Sequence, residues 1–157
     1  AIGKDNWESA GISGDRTQNL LWRVRYDNYN SCHPENIVIA IGINNLISGK
    51  DSPENTAEGI IAVANEVRKQ FPESCIILLG LFPSGKEQQS KVRTQCDKIH
   101  DILQHHRFEK VEYINPTKWF TEADGTMKDG LYGNDYIHFT GEGYKVAATE
   151  IAKILAR

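Results

Sequence analysis

The sequence predicts a doubly wound α/β layer sandwich, in which helices cover both faces of a parallel β-sheet. Two short, continuous apolar runs are typical of strands that are buried on both faces. Strand and helix patterns alternate along the chain as β-α-β-α-β-loop-α, which implies right-handed crossovers between parallel strands. The length of 157 residues, with 39% hydrophobic and 25% charged residues, fits one compact domain over residues 1–157 with a single core.

Start signals and apolar spacing support the individual elements. Ser52 followed by Pro53 marks a helix start, because serine caps a first turn and proline is tolerated within it. Thr140 and the two glycines after it precede the apolar spacing of the last helix. The predicted elements are, in order, a helix over 18–25, a strand over 37–41, a helix over 52–71, a strand over 75–81, a helix over 88–106, a strand over 111–114 and a helix after 140.

Charge and hydropathy bear on partners and location. The net charge is −3 with a pI near 6.0, and the basic residues are scattered along the chain, so we expect no nucleic-acid partner. No apolar run approaches the roughly 20 residues that span a bilayer, and residues 1–5 lack the apolar core of a signal peptide. These patterns predict a soluble domain without a membrane span, either cytoplasmic or secreted after removal of a signal.

The three cysteines, Cys32, Cys75 and Cys96, are odd in number and widely spaced. This pattern lacks the paired spacing of a zinc site or of a small disulfide scaffold. We expect buried free thiols, with Cys75 opening a strand as a small apolar residue.

Functional groups of such sheets collect outside the carboxyl ends of the strands, and the Gly42–Asn45 loop follows a strand directly. Glycine and asparagine tolerate the positive φ of turns, so this loop could be only a turn. Alternatively, the Asn44 amide points into a cleft as a hydrogen-bond donor to developing negative charge.

The loop from Gly11 to Thr17 leads into the first predicted helix. Asp15 could serve only as the N-cap of that helix. The Gly14 region could instead present free backbone N–H groups to an oxyanion or a phosphate. Ser9 and Ser13 lie nearby but outside any Gly-x-Ser-x-Gly elbow, so neither is predicted to be a nucleophile.

An aspartate stands three residues before a histidine twice, at Asp97/His100 and at Asp135/His138. The first pair lies in a charged amphipathic helix, so we predict that it belongs to a solvated face. The second lies in a glycine-rich loop before a helix, where a histidine can act in a cleft while the carboxylate sets its tautomer. His100, His105 and His106 lack the spacing of a helical zinc site, so no metal is expected.

Taken in order, four segments resemble the SGNH hydrolase (GDSL-like lipase/acylhydrolase) superfamily. The likeness is closest to its platelet-activating factor acetylhydrolase alpha-subunit branch and related bacterial acyl-esterases. The segments that carry it are Gly11–Arg23, Gly42–Asn45, Leu79–Gly85 and Asp135–Tyr144. The resemblance implies a three-layer α/β/α sandwich with a flavodoxin-like sheet.

The same resemblance implies a serine esterase. His138 would act as general base and acid, with Asp135 as its orienting carboxylate. The Gly14 N–H and the Asn44 side chain would form the oxyanion hole together with the N–H of the nucleophile. The reaction would hydrolyse a small acyl ester, such as an acetyl ester of a carbohydrate or a lipid head group, through an acyl-enzyme and without metal or cofactor. The related alpha subunits act as dimers, so the resemblance allows a homodimer, and the sequence leaves the oligomeric state open.

The family's first block, a central strand ending in Gly-Asp-Ser with the nucleophile, has no counterpart here. Only 13 residues precede Gly14, fewer than that block requires. A fold without this strand would leave backbone groups unpaired at about 1–3 kcal/mol for each buried group. We therefore expect a further N-terminal segment or fragment that carries the serine.

Two other functions stay open at the level of sequence. A non-catalytic domain of the same fold could hold an acylated or glycan ligand without a nucleophile. A nucleotide- or flavin-binding sheet could use the Gly11–Thr17 loop for phosphate. For an esterase, the segments 82–91 and 119–132 are the expected walls of the substrate site.

Overall fold

The computed structural model describes residues 7–27, 29 and 31–157. Within them lies a parallel three-stranded sheet of order β1-β2-β3, formed by β1 (Asn36–Ala40), β2 (Cys75–Leu79) and β3 (Val111–Ile114). Ile37 of β1 pairs with Ile76 of β2, which in turn pairs with Val111 of β3. The prediction of a parallel sheet is confirmed, and all three carboxyl ends lie at one edge.

Every predicted helix is present at its predicted place among the strands, and two short helices that were not predicted are added over residues 43–47 and 117–120. The helices are α1 (Thr17–Tyr26), α2 (Ile43–Ile47), α3 (Pro53–Gln70), α4 (Lys91–His105), α5 (Thr117–Phe120) and α6 (Gly141–Leu155). The Ser52 hydroxyl accepts a hydrogen bond from the Asn55 N–H at 3.1 Å, and Thr140 caps α6 through the Gly143 N–H at 3.2 Å. Both predicted helix starts are therefore confirmed, whereas α4 begins three residues later than predicted. Among the described residues, no helix combines the length and hydropathy needed to cross a bilayer.

Alternate side chains of β2 face opposite layers, because successive residues of a strand point to opposite faces. Ile76 and Leu78 belong to the core shared with α3 and α4, whereas Ile77 and Leu79 pack with Ile154 of α6. Helices thus cover both faces of the sheet at β2. The three-layer α/β/α architecture is confirmed.

The prediction that both apolar runs are buried on both faces holds for β2 but is wrong for β1. Only Ile39 of β1 is buried, Ala40 is exposed, and Val38 keeps 37% of its surface accessible. On the face of the sheet that α6 covers, the buried strand residues that α6 contacts belong to β2. No strand of the described residues pairs with the second edge of β1, where the resemblance places the first strand. The resemblance also implies a strand before Gly11, which falls partly on residues 1–6, outside the described residues.

The prediction of buried thiols is right for one cysteine of three. All three are free, and Cys96 on α4 is fully buried. Cys32 and Cys75 are exposed. Cys75 is exposed because it is the first residue of β2, at the amino edge of the sheet.

Gly80, directly after β2, lies where the fold leaves no room for a side chain. A Cβ placed there would stand 2.5 Å from Cε1 of His100 and 2.8 Å from the Tyr113 hydroxyl. We predict that Gly80→Ala lowers the free energy of unfolding by about 1–3 kcal/mol, because overpacking forces its neighbours out of place. Urea denaturation measures this change. Gly141→Ala is the control, since a Cβ at Gly141 would meet no atom within 4 Å, and an equal loss in both variants would contradict the prediction.

Candidate active site

Asp135 and His138 form a compact pair on the loop that precedes α6. The Asp135 Oδ2 lies 2.6 Å from the His138 Nδ1, and the Asp135 Oδ1 accepts the N–H groups of Ile137 and His138 at 3.0 Å each. A carboxylate only accepts, so Nδ1 carries a proton, and in the neutral ring Nε2 is the nitrogen that has the lone pair. The His138 side chain is 78% exposed. This geometry leaves Nε2 free to take a proton from a group outside the loop.

The same contacts hold the pKa of Asp135 far below its usual range, chiefly through the hydrogen bond from His138 and then through the two backbone N–H groups. An acid with a depressed folded pKa stabilises the fold above its unfolded pKa of about 3.9, and this contribution disappears as the pH falls through the folded value. We predict that the loop stays ordered at pH 4 and loosens well below it. The ¹³Cγ shift of Asp135, followed by NMR as the pH falls, measures this. A midpoint near the ordinary value would contradict it.

The loop is fixed to the end of β2 by backbone and side-chain contacts. The Gly85 N–H donates to the Tyr136 carbonyl at 2.9 Å, and the Tyr132 hydroxyl donates to the Pro83 carbonyl at 2.5 Å. Tyr136 itself adopts a φ of 52°, which is unusual for a residue with a side chain. These contacts fix the loop at Tyr132, which precedes the acid, and at Tyr136, which lies between the acid and the base.

An aromatic cluster that the sequence reasoning missed lies behind the loop. The Phe139 ring, next to His138, has its centroid 4.9 Å from that of Phe82 and 4.6 Å from that of Phe120. Tyr132 packs on both Phe120 and Phe139. Pairs at such separations stabilise by about 0.5–1.5 kcal/mol beyond their buried area. The available signal was the concentration of aromatic residues in the two segments assigned to substrate walls and in the loop itself.

Gly14 and Asn44 lie on adjacent segments although 30 positions separate them. The Asn44 Nδ2 donates to the Asp15 carbonyl at 2.9 Å, and Gly14 adopts a φ of 82°, which favours glycine. The Gly14 N–H donates to no acceptor among the described residues. Asp15 is not the N-cap of α1: that position belongs to Arg16, and the Asp15 carboxylate pairs with Arg23.

Asn45, beside Asn44, organises this region and was not singled out from the sequence. It is 1% exposed, its Oδ1 accepts the Thr17 N–H at 3.0 Å, and its Nδ2 donates to the Asp51 Oδ2 at 2.8 Å. Asn45 thereby joins α1 and α2 to the start of α3. Its neighbour Asn44 is left facing the Gly14–Asp15 turn.

Both groups lie toward the carboxyl edge of the sheet. Asn44 follows β1 and Gly85 follows β2, and Gly85 holds the loop that carries Asp135 and His138. In the described part of the chain, no hydrogen bond or ion pair connects Gly14 or Asn44 with Asp135 or His138. Nor does a serine hydroxyl of that part hydrogen-bond to His138. The four predicted site residues thus form two pairs at one edge.

The prediction that Asp97 and His100 belong to a solvated face is wrong for His100. Asp97 is exposed, but His100 is only 4% exposed. Its Nε2 donates to the Leu81 carbonyl at 2.9 Å and its Nδ1 accepts from the Tyr113 hydroxyl at 2.6 Å. Three positions are less than a full helical turn, so the two side chains point in somewhat different directions. His100 faces the sheet, whereas Asp97 faces solvent.

Comparisons with known proteins agree with this architecture. Residues 2–146 match the model of the GDSL-like Lipase/Acylhydrolase family. The human platelet-activating factor acetylhydrolase IB subunit alpha2 is 30% identical over 137 residues, which cover 85% of this chain and 57% of that protein. The rat alpha1 subunit is 26% identical over 150 residues, 94% of this chain and 62% of that protein. The chain thus spans less than two thirds of the length of these relatives.

Solved structures share the fold. A GDSL-like lipase from Bacteroides thetaiotaomicron has a TM-score of 0.69 at 21% identity, covering 93% of this chain and 73% of its own. An acetylxylan esterase from Geobacillus stearothermophilus, in a catalytic mutant form, has a TM-score of 0.70 at 19% identity, covering 91% and 68%. With the match to most of its length, the chain belongs to the GDSL-like lipase/acylhydrolase family.

Proposed function

We propose that this chain provides the base, its orienting carboxylate and two oxyanion donors of a serine esterase for short acyl esters. The observation that carries the proposal is the Asp135–His138 pair, with a 2.6 Å hydrogen bond at Nδ1 and an exposed imidazole whose Nε2 is free. The nucleophilic serine would come from a strand along the open edge of β1, outside the described residues. Family membership supports ester hydrolysis as the reaction.

In the proposed reaction, the serine hydroxyl attacks the ester carbonyl while the His138 Nε2 takes its proton. Asp135 stabilises the imidazolium that forms. Collapse of the tetrahedral intermediate breaks the bond to the alcohol, which leaves with the proton from Nε2. Water then attacks the acyl-serine carbonyl while Nε2 takes a proton from it. Collapse of this second intermediate breaks the bond to the serine oxygen, which takes the proton from Nε2, so that the carboxylic acid and the free serine are released.

The developing oxyanion would be held by the Gly14 N–H and the Asn44 side chain. The Asn44 amide has two N–H donors, and only one is used for the Asp15 carbonyl, so the second is available. Glycine adopts the φ of 82° at Gly14 without strain, and the Gly14 N–H donates to no acceptor among the described residues. Donors fixed before the reaction stabilise the transition state more than mobile water does.

A cavity of about 250 Å³ suggests the class of substrate. It is lined by both predicted wall segments and by Tyr136 of the catalytic loop. Its lining side chains are largely charged or hydroxyl-bearing, including Lys86, Glu87, Asp129 and Tyr132. Such a lining suits a polyol better than an acyl chain, so we propose an acetylated carbohydrate as substrate. The likeness to an acetylxylan esterase supports this choice.

The experiment that tests the function combines labelling with turnover. A serine-directed organophosphonate is added to the protein, its intact mass is measured, and p-nitrophenyl acetate and acetylated xylo-oligosaccharides are offered as substrates. We expect one labelled serine, loss of turnover on labelling, and acetate release from the oligosaccharide. A labelled serine without any acetate release from the oligosaccharide would rule out the acetylated carbohydrate as substrate. Turnover unaffected by the phosphonate would rule out the serine mechanism.

A non-catalytic ligand-binding domain is the second candidate. It is favoured by the lack of any serine hydroxyl on His138 among the described residues. That function predicts binding of an acetylated oligosaccharide without turnover and without labelling. Calorimetric titration of the same oligosaccharide distinguishes it from the esterase.

A further inference from the structure

The segment Leu81–Gly85, here called the strand-end segment, determines where the Asp135–His138 loop lies. The Gly85 N–H holds the Tyr136 carbonyl, the Pro83 carbonyl accepts the Tyr132 hydroxyl, and Phe82 packs on Phe139. These three contacts bracket the acid and the base on both sides. Any shift of the segment would therefore be passed on to the loop.

Two buried side chains of α4 hold the two ends of this segment. His100 donates from Nε2 to the Leu81 carbonyl at 2.9 Å, and Arg93 donates from Nη2 to the Gly85 carbonyl at 3.1 Å. The two residues are seven positions apart, close to two helical turns, so they share one face of α4. The Gly85 carbonyl thus accepts from Arg93, and the Gly85 N–H donates to Tyr136 in the Asp135–His138 loop.

The burial of Arg93 is unfavourable for the stability of the fold. Arg93 is 3% exposed, its Nε has no partner, and it forms no ion pair with a carboxylate of the described residues. Its other contacts are the Gly125 carbonyl at 3.5 Å and the Met127 Sδ. A buried charge without a counter-charge is expensive, and an apolar residue of similar volume often stabilises more. The guanidinium therefore points to a positional role.

Two short hydrogen bonds hold His100 in one tautomer, and the Thr117 hydroxyl lies farther away, 3.5 Å from Nε2. The Leu81 carbonyl can only accept, so Nε2 carries the proton, and Nδ1 accepts from the Tyr113 hydroxyl at 2.6 Å. Burial lowers the pKa of His100, which keeps the ring neutral. The absence of a side chain at Gly80 makes room for this ring.

We infer that Arg93 and His100 are positioning residues, which set the place of the Asp135–His138 pair by clamping the two ends of the strand-end segment. The inference for catalysis rests on the proposed function. The inference for geometry does not, because it concerns contacts within the described residues alone.

The test compares Arg93→Met with a matched control, Arg68→Met. Arg68 of α3 also has an unpartnered, buried Nε and also donates to carbonyls, among them those of Ser74 and Lys110 at 2.7 Å each. Those carbonyls directly precede β2 and β3, at the amino edge of the sheet. The control therefore removes an equivalent guanidinium from the opposite edge.

The readout is the exchange rate of the Ile137 and His138 amide protons, measured by NMR at pH values where both variants are folded. We expect Arg93→Met to raise these rates at least about 10-fold and to move the Asp135 carboxyl titration upward toward its ordinary value of about 3.9. Arg68→Met should change neither. Unchanged rates in Arg93→Met, or equal acceleration in both variants, would overturn the inference.

Two milder variants keep the test decisive if Arg93→Met does not fold. Arg93→Lys retains one donor to the Gly85 carbonyl and should give a smaller acceleration than methionine. Tyr113→Phe removes the hydroxyl that fixes the His100 tautomer and should accelerate exchange at the same two amides. If neither variant changes these rates, the inference is wrong.

Turnover separates this inference from the proposed function. In the form that hydrolyses p-nitrophenyl acetate, Arg93→Met should lower kcat about 10-fold with KM within twofold, because a misplaced base affects the chemical step. Accelerated exchange in a protein without esterase activity would sustain the positioning role and reject the function. Full activity of Arg93→Met together with unchanged exchange would reject the positioning role and leave the proposed function in place.

Discussion

Replacing His138 with alanine is expected to lower kcat by a factor on the order of 10⁴–10⁶, the range found when a triad histidine is lost. The physical reason is that Nε2 takes the serine proton in the proposed reaction, while Nδ1 is occupied by Asp135 at 2.6 Å. The free energy of unfolding should change little, because the side chain is 78% exposed. Steady-state turnover of p-nitrophenyl acetate, in a form of the protein that hydrolyses it, measures the effect.

His105→Ala is the matched control for that experiment. His105 is also exposed and also lies beside an aspartate, with its Nδ1 3.5 Å from the Asp101 Oδ1. It lies at the end of α4 and has no place in the proposed reaction, so turnover should stay as in the parent protein. Parental turnover by His138→Ala would reject the assignment of the base.

Asn44→Ala is expected to lower kcat by about 10²–10³, the effect of losing one oxyanion donor. KM should change little, because the donor acts on charge that develops only in the transition state. The lost hydrogen bond to the Asp15 carbonyl also frees the turn that carries Gly14. Measurement of kcat and KM for a short acetyl ester gives the result.

Asn55→Ala, an exposed asparagine on α3, is the control for Asn44→Ala. A rate unchanged by Asn44→Ala would return the Gly42–Asn45 loop to the structural role that its turn-forming residues also allow. A rate loss accompanied by an equal loss of stability would indicate that Asn44 acts through the fold. Denaturation of both variants distinguishes these outcomes.

Local patterns were sufficient for most of the architecture of this protein, but not for the short helices α2 and α5 or for the exposure of β1. The strands, the Ser52 and Thr140 helix caps and the α/β alternation depend on neighbours within a few residues, which the sequence displays directly. The pairing of Asp135 with His138 is local in the same way, since three positions separate the two side chains. Its role in catalysis stays a prediction, as do those of Gly14 and Asn44.

Burial was decided by tertiary packing. His100 and the exposed Asp97 belong to the same charged stretch of α4, and only the approach of Leu81 and Tyr113 makes His100 a buried residue. The exposure of β1 likewise depends on which layer lies over it, not on its apolar composition.

The sequence by itself determined which segments form the described sheet, which four longer helices accompany it and which segments leave its carboxyl edge, but not the short helices α2 and α5. Only the tertiary structure decided that Asn44 meets the Asp15 carbonyl, that Gly85 holds Tyr136, and that Arg93 is buried without a counter-charge. The physical reason is one of range. Helix and strand periodicities report contacts between near neighbours, whereas the site is assembled by hydrogen bonds between segments about 30 to 50 positions apart.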